Sequence, residues 1–271
     1  MIPRAPFAVP RTAAFFDIDG TLLTSPSLER RLFGALRAQR AIPAQNYLRW
    51  FAHALRIAPR GIQEVLYANK MYLRGIEGAQ LSGCAHPAMS FFPAAIDQAA
   101  WHAAHNHTII LVSGTLAPVA HRVALALTAK LATRGLAAPI GVCATQLEKI
   151  DNRYTGRVAG NAVFGPAKAE AIHRIAVEQS LDLCRCYAYG DTHQDRWMLA
   201  AVGRPTAVNP TKALERVARL HEWPVLRWTL SSPAQMEANE ATQPVTTPYG
   251  SVTSRISDTR ATRHIAREPW V

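Results

Sequence analysis

The segment TAAFFDI, residues 12–18, carries an apolar run onto Asp17, and Asp19 follows two residues later in FFDIDGTLL. A short apolar run closed by Gly20-Thr21 reads as a strand buried on both faces. Two carboxylates at its end are costly unless a cation or hydrogen bonds compensate. The rest of the fold must therefore assemble around this point. Apolar runs over 107–114, 139–145, 184–191, 205–209 and 225–228 read as further strands. Between them, 93–105, 116–132, 166–180, 195–202 and 211–222 carry helical spacing, with Pro166 at a helix start. Strands alternating with helices predict an α/β fold with a mainly parallel sheet. Sites in such sheets lie beyond the carboxyl ends of the strands.

Residues 24–92 interrupt the alternation. LERRLFGALRAQR, QNYLRWFAHALRI and GIQEVLYANKMYLRGI each read as helical, separated by Pro43 and by Pro59-Arg60-Gly61. Connections between strand and helix usually take about 2–6 residues. The stretch is therefore expected to be an inserted helical cap, on a core built from 1–23 and 93–230. Residues 147–160 read as a polar hairpin around Asp151-Asn152. Ser231–Val271 is rich in Ser, Thr and Pro, which predicts a flexible tail; its four basic and four acidic residues exclude a basic nucleic-acid arm.

The 271 residues carry a formal charge of +11. Nine basic residues in 24–92 (Arg30, Arg31, Arg37, Arg40, Arg49, Arg56, Arg60, Lys70, Arg74) stand against Glu29, Glu64 and Glu77, a balance of +6. Such a surface attracts anionic substrates or partners. The series Tyr47, Arg49, Trp50, His53, Arg56 fits a nucleic-acid or membrane surface, but its helical spacing favours a packed cap core with basic edges. His102, His105 and His107 read as a helix C-terminus rather than a metal site. Cys84, Cys143, Cys184 and Cys186 lack zinc spacing and read as reduced thiols. No apolar stretch is long enough to cross a bilayer as a helix, and the N-terminal residues lack a clean apolar signal segment. A cytoplasmic protein is the expectation.

Four segments carry chemistry. Asp17 and Asp19 suit a hard cation with oxygen ligands, and Asp17 also suits attack on phosphorus. Ser113 ends a strand in TIILVSGTL; Gly114-Thr115 is expected to open a helix whose free N–H groups bind an anion. Lys168 falls in the first turn of a helix, where a cation opposes the helix dipole and needs an anionic partner. Asp191 and Asp195, in YAYGDTHQDRWML, are spaced to face one site.

Taken in order, DxDGT, strand-Ser, Lys and GDxxxD resemble the haloacid dehalogenase superfamily. The match covers roughly residues 12–228, with intervals of 96, 55 and 23 residues between Asp17, Ser113, Lys168 and Asp191. The helical insert between the first two motifs, YTGRV, and AVNPTKALERVA followed by EWPVLRW resemble the phosphoserine-phosphatase-like branch, subfamily IB. The resemblance implies a magnesium-dependent phosphomonoester hydrolase with a Rossmann-like core, acting on a small phosphorylated metabolite. It implies Asp17 as nucleophile and Asp19 as general acid and base. Thr21, Ser113, Gly114 and Lys168 then bind the phosphoryl group, and Asp17, Asp19, Asp191 and Asp195 hold Mg2+. The alternatives are a phosphotransferase using the same intermediate and a binding module using the basic cap. Glu29 is displaced from the position where the branch carries a substrate-binding glutamate, and Arg30 and Arg31 flank it. Phosphoserine is thus not the expected substrate. The basic cap favours a substrate with negative charge beyond its phosphate, or one presented on an anionic partner or membrane; no nucleic-acid partner is expected.

Overall fold

A computed structural model of the chain describes residues 11–84 and 89–230. The tail expected over 231–271 lies outside them.

The central strand is β1 (Ala13–Phe16), whose four residues are all buried. Alternating side chains send Ala14 and Phe16 to one face of the sheet and Ala13 and Phe15 to the other, each into its own core. Flanking strands are β2 (Thr108–Leu116) and β3 (Ile140–Thr145) on one side, and β6 (Tyr187–Gly190), β7 (Arg204–Val208) and β8 (Val225–Leu226) on the other. The six form one parallel sheet in the order β3-β2-β1-β6-β7-β8. On the Phe16 face pack α1 (Leu28–Ala38), α5 (Pro93–Ala104) and α6 (Ala117–Ala132). On the Phe15 face pack α7 (Pro166–Gln179), α8 (Arg196–Ala200) and α9 (Lys212–Leu220). This is the α/β architecture that the alternation predicts.

Three further helices, α2 (Ala44–Ile57), α3 (Ile62–Ala68) and α4 (Gly78–Cys84), follow α1 before α5. Leu28, Leu32 and Leu36 bury one stripe of α1 at i, i+4, i+8. The helix expected over 61–76 stops at Ala68. Asn69 turns extended, its side chain donates to the Trp50 carbonyl at 2.9 Å, and the chain resumes as a single 3₁₀ turn, Met71–Leu73. The α2 helix also departs from expectation. Only Asn46 and Ile57 in it are buried, so Tyr47–Arg56 does not form a packed core.

The hairpin is β4 (Leu147–Ile150) and β5 (Arg153–Val158). Asp151 and Asn152 both take positive φ, as a two-residue hairpin turn requires. Tyr154 accepts from the Gly75 N–H at 2.7 Å and donates to the Ile76 carbonyl at 2.9 Å, so the hairpin holds the end of the helical segment. His102 is fully buried between the Tyr189 hydroxyl and His107, 2.9 Å from each, and burial first, then His107 and His105, lowers its pKa to about 3. It is a neutral core histidine.

Phe16 is 0% exposed and stacks on Tyr189 with centroids 4.5 Å apart. Phe16→Ala should therefore cost roughly 3–5 kcal/mol, through lost burial and the cavity left behind. Urea unfolding of the variant checks this; a loss below about 1 kcal/mol would mean that β1 is not the centre of the core.

Candidate active site

Parallel strands end on the same side, so the sheet order brings three segments together. Phe16 is in register with Leu111 of β2 and Tyr189 of β6. Asp17 therefore lies beside the end of β2, which carries Ser113, and beside the loop after β6, which carries Asp191. The Asp17 N–H donates to the Tyr189 carbonyl at 2.9 Å, continuing the ladder one residue past β1. A cavity of about 280 Å³ opens here, walled by Asp17, Asp19, Ser113, Gly114, Lys168, Asp191 and Asp195 among others.

Lys168 comes from the first turn of α7, as expected, and finds carboxylate partners. Its ammonium donates to Asp17 Oδ1 at 2.5 Å and to Asp195 Oδ1 at 2.6 Å, with all three side chains buried. The second oxygen of Asp195 accepts from the Thr192 N–H and the Thr192 hydroxyl, both at 2.8 Å. Asp195 closes a one-turn 3₁₀ helix, His193–Asp195, and its carboxylate completes a capping box with Thr192. Asp19 accepts at Oδ1 from the Leu28 N–H at 2.7 Å, so the first turn of α1 is fastened to the carboxylate.

The site holds more anionic than cationic groups. Burial is the largest influence on Asp17 and lifts its pKa to about 7 against the pull of Lys168. Burial likewise lifts Asp19 to about 6, opposed by the Leu28 N–H. Asp191 rises to about 9, through burial first and then the charges of Asp17 and Asp195. Burial would lower the Lys168 pKa, but Asp17 and Asp195 outweigh it and the ammonium is held charged.

Asp17, Asp191 and Asp195 bring ligand oxygens within 4.8 Å of one another. Asp191 Oδ1 is buried without a hydrogen-bond partner among the described residues. A buried, unpartnered carboxylate oxygen is costly, and the donor set is all oxygen. The residues present therefore fit a hard divalent cation. Gly20 permits this approach: its φ is +87°, and a Cβ there would stand 2.1 Å from Asp191 Oδ2.

Three expectations change. Strand β2 runs on to Leu116 and α6 begins at Ala117, so Gly114-Thr115 is not a helix N-terminus. Thr21 is fully buried, and the cavity wall includes Gly20 but not Thr21. Glu29 is not remote: it stands in the cavity wall, with Oε1 accepting from Lys70 at 2.5 Å and Tyr72 at 3.0 Å. Among the described side chains, no basic residue of 24–92 lines this cavity. Tyr67 and Phe164, stacked at 4.6 Å, also belong to the wall, as does Gln194. Nothing in the local sequence marks Tyr67, since its place depends on how α3 folds over Gly114.

The raised carboxylates have a consequence for stability. Each binds its proton more tightly folded than unfolded, so the stability it contributes is present below its ordinary pKa and is lost as pH rises through the folded value. For the metal-free chain, unfolding free energy should fall between pH 3.8, the ordinary value, and about 9, the Asp191 value. Excess magnesium should flatten that decline, because the cation binds the deprotonated carboxylates. Chemical denaturation across this range with and without magnesium checks it; metal-free stability that rises toward pH 9 would contradict it.

The sequence profile of the haloacid dehalogenase-like hydrolases matches residues 14–200. An inhibition of morphological differentiation protein from Streptomyces azureus is 33% identical over 81% of this chain and 79% of its own length. A phosphoserine phosphatase of Mycobacterium tuberculosis is 28% identical over 79% of this chain and 70% of its own length. A Bordetella pertussis protein of unknown function superposes with a TM-score of 0.62 at 26% identity, covering 80% of this chain and 99% of that one. With the six-stranded parallel sheet and the acidic pocket at its carboxyl ends, these likenesses lead to one conclusion: the chain belongs to the haloacid dehalogenase-like hydrolase family.

Proposed function

We propose that the protein is a magnesium-dependent phosphatase that hydrolyses a phosphomonoester through an aspartyl-phosphate on Asp17. The observation that carries this reading is the Lys168 ammonium clamped on Asp17 Oδ1, beside an acidic cluster suited to a divalent cation. Asp17, Asp191 and Asp195 would hold magnesium with the backbone carbonyl of Asp19. When bound, magnesium supplies positive charge to the phosphoryl oxygens.

The roles of the side chains follow from position. A carboxylate oxygen of Asp17 bonds to phosphorus as the bond to the leaving oxygen breaks. Asp19, lifted to about 6, gives its proton to that oxygen. The same carboxylate then takes a proton from water as the water oxygen bonds to phosphorus and releases Asp17. Lys168 holds Asp17 in place and neutralises charge on the phosphoryl group. Ser113, 2% exposed and in the wall, donates to a phosphoryl oxygen. Residues 24–92 act as a cap over a core of 1–23 and 93–230, an assignment supported by Tyr67 and Glu29 reaching the cavity wall.

The leaving group is read as a small neutral alcohol. Glu29 is charge-paired with Lys70 and bonded to Tyr72 through Oε1, which weakens its pull on a substrate amine. A substrate with further negative charge would find no described arginine of 24–92 in the wall and several carboxylates instead.

Asp17→Asn should lower turnover of an aryl phosphate by about 10³-fold or more while the fold remains, because the amide cannot form the covalent intermediate. Near-normal turnover in the folded variant would exclude Asp17 as nucleophile. Excess chelator should abolish activity and added magnesium restore it; full activity in chelator would exclude the metal. Among natural phosphomonoesters, neutral alkyl or aryl esters should exceed phosphoserine in kcat/KM by about tenfold, the scale of one well-placed contact. A preference for phosphoserine would contradict this reading and point to Glu29 as the group that receives the amine.

A further inference from the structure

The outer face of α2 has no cover among the described residues. Its two buried side chains are Asn46 and Ile57. Leu48, Phe51 and Leu55, at i, i+3 and i+7, form a stripe on the opposite side of the helix, 76%, 59% and 62% exposed. Ile62 and Leu66 of α3 are 66% and 59% exposed. Five large apolar side chains on two consecutive helices exceed the single exposed residues of an ordinary surface.

The flank of α2 beside this stripe is cationic. Arg49 and Arg56 lie seven residues apart, and with Arg74 and Arg157 they line an open cavity of about 780 Å³. No ion pair among the described residues uses any of these four. Arg49 donates to Asn46 Oδ1 at 3.2 Å, and an apolar stripe bordered by arginines with no carboxylate partner among the described residues is the pattern of a helix lying in a membrane interface.

We propose that this face docks on an anionic lipid bilayer. Leu48, Phe51 and Leu55 enter the headgroup–acyl boundary, and the four arginines hold headgroup phosphates. The charge of 24–92, +6 overall, is complementary to anionic lipid and opposes pairing with a second copy of the same face. Nucleic acid would satisfy the arginines but would leave the apolar stripe against phosphates and water. A second, apolar cavity of about 520 Å³ has Tyr47, Trp50 and Leu66 in its wall, beside the same face. Its mainly apolar lining suits acyl chains.

The test is co-sedimentation of the full chain with vesicles of phosphatidylcholine alone and of phosphatidylcholine with phosphatidylglycerol. Binding should require the anionic lipid and weaken as salt is raised. Arg49→Glu with Arg56→Glu should weaken it by about fivefold or more per arginine, the value of one basic residue near an anionic surface. Phe51→Asp with Leu55→Asp should abolish it. Both variants should hydrolyse a soluble aryl phosphate as the parent does, which separates loss of docking from loss of catalysis. If the aspartate pair unfolds by circular dichroism, the arginine pair alone decides. No binding to anionic vesicles, binding unaffected by the arginine pair, short RNA binding in place of vesicles, or a dimer that the folded variants lose without any vesicle binding would each overturn the proposal.

Discussion

The buried ammonium of Lys168, shared by Asp17 and Asp195, is the interaction on which the rest of the site depends. Five carboxylates, Asp17, Asp19, Glu29, Asp191 and Asp195, line one small cavity with that single cation. Burial first, and for Asp17 and Asp191 the neighbouring carboxylates after it, raises Asp17, Asp19 and Asp191 above ordinary carboxylate pKa values. A fold that accepts this cost without its ligands is poised to gain when a divalent cation and a phosphoryl group arrive. Stability is given up at one place, and binding energy is available there in return.

The surrounding architecture exists to hold these groups at short range. Residues from four distant parts of the sequence meet because β1, β2 and β6 are parallel neighbours and α7 lies against the same end of the sheet. Gly20 lets the first loop pass against Asp191. Asp19 does double service: its carboxylate lines the cavity and fastens the N-terminus of α1, the first helix of residues 24–92. A change in the protonation of Asp19 is therefore coupled to the start of that segment.

The fold was legible because its signals are local. Apolar runs ending in carboxylates and helical periodicity between them placed the strands, the α/β class and the Asp151-Asn152 hairpin. The cluster Asp17, Asp19, Ser113, Lys168, Asp191 and Asp195 was legible from motif order, since the motifs fall at or near the carboxyl ends of strands or in the first turn of a helix. What failed depends on contacts across the chain. Ser113-Gly114-Thr115 has the composition of a helix start, yet pairing with β3 extends the strand to Leu116. The helix expected to continue past Ala68 breaks because Asn69 and Lys70 are drawn to Trp50 and Glu29. Glu29 appeared displaced in sequence, but α1 is anchored at Asp19 and brings it back to the wall. The outward face of α2 was misread for a general reason: helical periodicity identifies an apolar stripe but not whether protein, lipid or water covers it.

The central claim is covalent participation of Asp17, and chemical trapping tests it most directly. Enzyme turning over a good phosphomonoester is quenched in acid, reduced with borohydride and mapped by peptide mass spectrometry. Borohydride reduces an acyl phosphate to an alcohol, so position 17 should appear as homoserine, only when substrate and magnesium are both present. Reduction at another carboxylate, or no reduction during demonstrated turnover, would contradict the account.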